Sequence, residues 1–189
     1  MNRSLSTMRL SDLSLIKKIQ RGDKLAFESL FRSYYPLLCD YAQKYVKNPQ
    51  AAEDQVQEVF VKIWEIRKDW NPQGTIQAYL YTAVRNQSLN YLKHEKIVDK
   101  WKQKEALNRA AVQFSQAEEK TDLEEMNKWL LEAIQKLPEK RREIFELSRD
   151  HGLTYVEISK TLGISVKTVE TQMGRSLRHL RNRLEQRLR

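Results

Sequence analysis

At 189 residues, with 40% hydrophobic and 31% charged residues, the chain has material for one ordinary hydrophobic core or two small ones. Five Gly, four Pro and a single cysteine leave little room for a turn-rich β architecture and none for a disulfide framework. A formal net charge of +9 calls for a polyanionic partner, nucleic acid first, because each phosphate neutralised by Lys or Arg releases a condensed counterion.

Long segments of Leu, Ile, Ala, Glu, Lys, Gln and Arg, without alternating β-branched runs, predict an all-α fold of two small helical domains joined by a flexible linker. A first helix is expected from about Asp12 to Arg21, ending at Gly22. Asp23 then caps a longer helix through Tyr45 that Pro36 interrupts or bends. Asn48-Pro49 breaks the pattern, and an acid-bearing helix follows to about Arg67. In it Val56, Val59, Phe60 and Ile63 recur at three- and four-residue spacings and predict a core face. Asp54, Gln57, Glu58 and Val61 share a second face, where two acids and an amide meet solvent or a partner.

Asp69 to Thr75 is dense in turn formers, and the next helix is expected from about Ile76 to Lys93. Leu80, Ala83, Val84, Leu89 and Leu92 supply its buried side, while Arg85, Asn86 and Asn90 point elsewhere. From about His94 to Thr121 the apolar residues thin out, which reads as a linker. Helices resume at about Asp122 to Lys136 and, after Leu137-Pro138, at Glu139 to Arg149.

Gly152 to Glu170 reads as a helix-turn-helix. Thr154 and Glu157 make a capping box, Gly163 takes the positive φ that ends the first helix, and Ser165 caps the second. Val166, Val169, Met173, Leu177 and Leu180 form the predicted buried stripe of the second helix. Lys167, Thr168, Glu170, Thr171 and Arg175 stay outside. Such a helix fits the major groove, with base edges at its first turns and phosphates at flanking cations, and the N–H groups near Thr154 and Ser165 can hold phosphates. Arg175, Arg178, Arg181, Arg183, Arg187 and Arg189 face only Glu185 in the last turns, which concentrates the excess charge beside this motif.

Two signatures resemble those of bacterial sigma factors of the sigma-70 family, extracytoplasmic-function group. Ala52-Glu53-Asp54-Gln55-Val56-Gln57-Glu58-Val59-Phe60 through Trp64 matches the family's A-E-D-x-x-Q-E-x-F-x-x-x-W run. Tyr79-Leu80-Tyr81-Thr82-Ala83-Val84-Arg85-Asn86 follows a W/Y-L-x-x-I/V-A-x-N pattern loosely, with Ala83-Val84 at its I/V-A positions. The resemblance implies an N-terminal segment over 1–22 and a domain over 23–95 that binds core polymerase and opens the minus-ten element. A linker over 96–121 and a domain over 122–189 that reads the minus-thirty-five element complete the division. It implies that Asp54, Gln57, Glu58 and Trp64 meet the polymerase clamp, and that Trp70, Asn71, Gln73, Gln77, Asn86 and Asn90 hold unpaired minus-ten bases. Aromatic and amide groups suit that task, since stacking contributes roughly 1–3 kcal/mol per base, and Tyr79 and Tyr81 are further candidates. Thr154, Ser165, Lys167, Thr168, Glu170, Thr171, Arg175 and Arg178 would read the minus-thirty-five element. The implied partners are core RNA polymerase through its clamp and flap, promoter DNA and an anti-sigma factor. Glu170 and Gln172 stand where relatives often carry arginine, and Ile76-Gln77-Ala78-Tyr79 replaces a commoner Trp-containing run.

No nucleotide-binding glycine loop and no nucleophile paired with a base is present, and His94, His151 and His179 are scattered. The expectation is a cytoplasmic protein with no catalysis, cofactor, metal or small-molecule substrate. The chain also lacks a run of about 18 apolar residues for membrane insertion. Gly163 to Glu170 resembles response-regulator helix-turn-helix motifs as well, so a stand-alone duplex-binding regulator is the rival reading.

Overall fold

The computed structural model describes residues 10–102 and 122–187, and its elements are all helices: α1 (Leu10–Gln20), α2 (Lys24–Val46), α3 (Pro49–Glu65), α4 (Ile76–Lys102), α5 (Asp122–Gln135), α6 (Glu139–Arg149), α7 (Tyr155–Leu162) and α8 (Val166–Arg187). They fall into two compact units, one built on α1 to α4 and the other on α5, α6, α8 and most of α7.

In the first unit α2 packs on α3 and α4, α3 packs on α4, and α1 lies on α2. The joints follow local chemistry. Gly22, at φ +83°, closes α1: its N–H reaches the Ile19 carbonyl at 2.9 Å and the next N–H, of Asp23, reaches Lys18 at 3.1 Å. Those two bonds satisfy carbonyls that the helix end leaves open. Asp23 then caps α2, accepting from Ala26 N–H at 3.0 Å. Pro36 neither interrupts nor divides α2, which runs through it for 23 residues. The break expected at Asn48-Pro49 is a cap, with Asn48 Oδ1 accepting from Ala51 N–H at 3.1 Å and Pro49 opening α3. Proline is favoured at that position because its missing N–H would have no intrahelical partner.

Val56, Val59, Phe60 and Ile63 are all buried, as their spacing predicts. Each such side chain contributes about 1.5–3 kcal/mol through removal from water. Leu30, Leu38, Leu80 and Val84 close the same core, with Tyr41 set edge-on to Tyr81 at 5.0 Å between ring centroids. The fourth helix outruns its expected end at Lys93 and continues to Lys102. Residues 94–102 contain no Gly or Pro and carry Lys and Glu, which tolerate helix, so nothing in them stops α4 at Lys93. The remainder of the expected linker, from residue 103 to 121, lies outside the described residues, as do residues 1–9 and 188–189.

In the second unit α8 packs on α5 and α6 around Ala133, Leu147, Ile158, Val169 and Met173. The predicted stripe of α8 needs one correction: Leu177 is 42% exposed, and Ser176 takes its place in the core. Spacings of four, three and four, through Val169, Met173, Ser176 and Leu180, follow a 3.6-residue turn. Two consecutive steps of four, from Val169 to Leu177, drift off the face. Val166 and Leu180 are half-buried.

Cys39 sits inside α2 with its thiol buried, and burial pushes its pKa above the ordinary value. The thiolate is the reactive form, so the native chain at pH 8 is expected to react with a disulfide reagent about tenfold more slowly than in urea. Equal rates would place Cys39 at the surface.

Candidate nucleic-acid and partner interfaces

The burial of one face of α3 decides what the other presents. Asp54, Gln57 and Glu58 are exposed, and Val61 beside them is 54% exposed. Gln50 Nε2 donates to Asp54 Oδ1 at 3.4 Å and Gln57 Nε2 donates to Tyr35 OH at 3.2 Å, which ties α3 to α2 at the surface. Next to this face lies a groove of about 400 Å³ lined by Phe27, Phe31, Gln57, Phe60, Val61 and Trp64. Its walls are interlocked rings: Phe27 stands 4.9 Å from Trp64 and 6.1 Å from Phe60, and Phe31 stands 4.9 Å from Phe60 and 4.5 Å from Tyr35. Arg67 covers the Trp64 ring at 4.6 Å. An apolar trough that shares Gln57 and Val61 with the acid-bearing face of α3 has the chemistry to take a helix that carries both apolar and basic side chains. Phe27 and Phe31 were absent from the expected partner-binding set. Their four-residue spacing on α2 was the available signal, but only the packing of α2 on α3 joins them to Gln57 and Val61.

The turn after α3 separates its expected base-binding residues. Trp70 is 1% exposed, with its ring edge-on to Tyr79 at 5.8 Å. An indole buried there cannot stack on a base, so the expectation for Trp70 is corrected: it supports the turn from beneath. Tyr81 is likewise fully buried. Asn71 and Gln73 are exposed and Gln77 is partly so. Thr75 caps α4, its hydroxyl accepting from Ala78 N–H at 3.2 Å. Farther along α4, Asn86, Asn90 and Lys93 are exposed and share a stripe with the half-exposed Tyr79 by helical spacing. The arrangement offers amides, one aromatic edge and a cation, the mixture that single-stranded bases engage.

In the second unit the capping box closes in both directions. Thr154 N–H donates to Glu157 Oε2 at 2.9 Å, Glu157 N–H donates to Thr154 Oγ1 at 3.3 Å, and the Thr154 hydroxyl donates to the same carboxylate at 2.8 Å. Glu157 is 5% exposed, so these bonds also satisfy a buried carboxylate. The Thr154 N–H is therefore occupied by the Glu157 carboxylate. Gly163, at φ +67°, ends α7, and the following N–H, of Ile164, returns to the Ser159 carbonyl at 3.0 Å. Ser165 Oγ accepts from Thr168 N–H at 3.0 Å and pairs with the Thr168 hydroxyl at 2.8 Å, starting α8.

With Val169, Met173 and Ser176 buried, the opposite side of α8 exposes Lys167, Thr171, Arg175 and Arg178 in one stripe. Glu170 is also exposed and lies 3.9 Å from Lys167, a surface pair of small energy. Gln172 points inward and accepts from Arg141 Nε of α6 at 3.2 Å, which makes it part of the packing. Arg187 stacks on Trp129 of α5 at 5.7 Å, and Arg189 lies outside the described residues. The cations of the last turns thus do not form one uniform patch.

The Sigma-70 region 2 family matches residues 30–97 and the Sigma-70, region 4 family matches residues 127–180. The RNA polymerase sigma factor CarQ of Myxococcus xanthus is 28% identical over 169 residues, covering 89% of this chain and 95% of its own. The ECF RNA polymerase sigma factor SigK of Mycobacterium ulcerans is 22% identical, covering 94% of this chain and 96% of its own. Among solved structures, the fold is similar to that of CnrH in complex with the cytosolic domain of CnrY (TM-score 0.58, 21% identity, 93% of this chain and 97% of that one). It is similar also to that of the sigma factor RpoE in complex with the anti-sigma factor NepR from Bartonella quintana (TM-score 0.59, 20% identity, 84% of this chain and 96% of that one).

Removing the cap that holds the second unit's motif should be measurable without DNA. Thr154→Ala is expected to cost about 1 kcal/mol in urea unfolding of the second unit, with Thr154→Ser close to wild type. An unchanged midpoint for Thr154→Ala would show that the box contributes nothing to stability.

Proposed function

Since the chain belongs to the sigma-70 family, in its extracytoplasmic-function group, and so directs RNA polymerase to promoters, we propose that it divides this work between two surfaces. The groove edged by Asp54, Gln57 and Glu58, with Trp64 in its wall, docks the basic clamp of core polymerase. Asn71, Gln73 and Gln77, with Asn86 and Asn90 of α4, hold the unpaired non-template bases of the minus-ten element. In this division residues 23–95 form the docking and melting domain, and residues 122–189 read the minus-thirty-five element and meet the flap.

In the second domain Lys167, Thr171, Arg175 and Arg178 lie along the duplex, with the first turn of α8, from Ser165 through Thr168 to Glu170, at the base edges. Glu170 accepts from a cytosine amino group, and the arginines meet phosphates. Thr154 contributes by holding α7 in place through Glu157. The observation that carries the reading is the presence in one chain of an acid-edged aromatic groove and a fully capped helix-turn-helix, because a simple duplex binder has no use for the first.

The chain works in the cytoplasm as an initiation factor and catalyses no reaction itself. Among the described residues no helix is long and apolar enough to cross a membrane, and no group of His, Cys, Asp and Glu side chains is placed to hold a metal ion. Restraint by an anti-sigma factor completes the proposal, by analogy with the complexes in which its structural relatives were solved.

Run-off transcription from a library of genomic fragments, with core polymerase and the purified chain, tests the reading. Promoter-specific transcripts are expected. Duplex binding without transcripts would favour the stand-alone regulator. The pair Asp54→Ala with Glu58→Ala should weaken binding to core polymerase roughly tenfold while leaving duplex binding intact; full affinity would remove the acids from the docking surface. Arg175→Ala should lower promoter affinity and reduce the slope of log affinity against log salt by about 0.9. A slope equal to wild type would mean that Arg175 meets no phosphate.

A further inference from the structure

The turn between α3 and α4 is gripped by an element that precedes the matched family region, which begins at residue 30. The first backbone N–H of α4, that of Ile76, donates to Asp12 Oδ2 of α1 at 3.3 Å. Helix starts leave such groups without intrahelical partners, and a carboxylate there also complements the helix dipole. About two turns along α1, Gln20 Nε2 donates to the Trp70 carbonyl at 2.9 Å. Asp12 and Gln20 therefore hold the two ends of the segment from Trp70 to Ile76, and Asn71 and Gln73 stand exposed between them. The helix that carries both is itself fixed, with Ile16 at 4% and Ile19 at 0% exposure on the face that packs against α2. The buried Trp70 ring, edge-on to Tyr79, closes the segment from below.

We infer that Asp12 and Gln20 are positioning residues for base capture, holding the Trp70–Ile76 segment at both ends so that Asn71 and Gln73 are presented to unpaired bases in a fixed geometry. This rests on the reading of that segment as the base-holding surface. The two residues do not touch DNA. A free segment must lose backbone freedom when a base binds, whereas a segment already held at both ends does not, so the two bonds raise affinity for single strands by pre-organisation. The amide of Gln20 is half-buried and bonds to a backbone carbonyl, which makes its role independent of the side chain at position 70.

The test uses the full chain assembled with core polymerase and a fluorescent single-stranded oligonucleotide, copied from the non-template strand of a promoter recovered by the run-off selection. Asn71→Ala with Gln73→Ala reports on the segment itself. Gln20→Ala and Asp12→Ala are each expected to weaken oligonucleotide binding about fivefold, the factor that one net hydrogen bond represents. Asp12→Asn keeps an acceptor oxygen and should bind close to wild type. Affinity for core polymerase and for minus-thirty-five duplex should not change in any of these variants. If the Asn71/Gln73 variant loses binding while Gln20→Ala and Asp12→Ala keep it, the positioning role is wrong and the base-holding reading stands. Should the Asn71/Gln73 variant itself bind like wild type, the base-holding reading falls and takes the positioning role with it. An equal loss of core-polymerase affinity in Gln20→Ala would show general support of the fold and would also overturn the inference.

Discussion

Burial of Val56, Val59, Phe60 and Ile63 against α2 and α4 is the constraint from which the first unit's surfaces follow. Side chains three and four residues apart share a face, so fixing that row toward the core turns Asp54, Gln57, Glu58 and Val61 outward without further choice. The same packing brings Phe27 and Phe31 of α2 beside Phe60 and Trp64, which is how the groove arises at the seam between two helices. Four aromatic residues, Phe27, Phe31, Phe60 and Trp64, thus pack the seam and line the groove at once. A substitution in the row would be felt at the groove as well as in the fold.

In the second unit the caps set the motif and the core seats it. Its helix-turn-helix is set by two side-chain caps, at Thr154 and Ser165, and by the left-handed backbone at Gly163. With those fixed, the row Val169, Met173 and Ser176 seats α8, and the stripe Lys167, Thr171, Arg175 and Arg178 is left exposed. Charge is placed by packing here: Arg187 lies over Trp129, and Gln172 holds Arg141.

Much of this was legible in the sequence because the signals were local. Apolar spacing in α3, the capping box and the glycine between α7 and α8 each act within a few residues, and each appears in the structure where its chemistry requires. The misreadings were of contacts between distant residues or of cumulative drift. Trp70, expected at the unpaired bases, is buried because its cover, Tyr79, belongs to the next helix. Leu177 looked buried because two steps of four mimic a helical row over a short stretch. Of the two outcomes expected at Pro36, interruption or a bend, the first does not occur, because a long helix packed along its length absorbs one missing N–H. The groove and the grip of Asp12 and Gln20 had no sequence signal of their own, since each joins residues tens of positions apart.

In the proposed division, one chain meets polymerase through the α3 groove and promoter through α8. A photo-crosslinking amino acid placed at position 61, and separately at position 175, in the complete complex of chain, core polymerase and promoter would test both contacts in one experiment. The account predicts that position 61 crosslinks to polymerase protein and position 175 to DNA. Crosslinking of position 61 to DNA, or its failure to reach polymerase in a complex that is transcriptionally active, would contradict it.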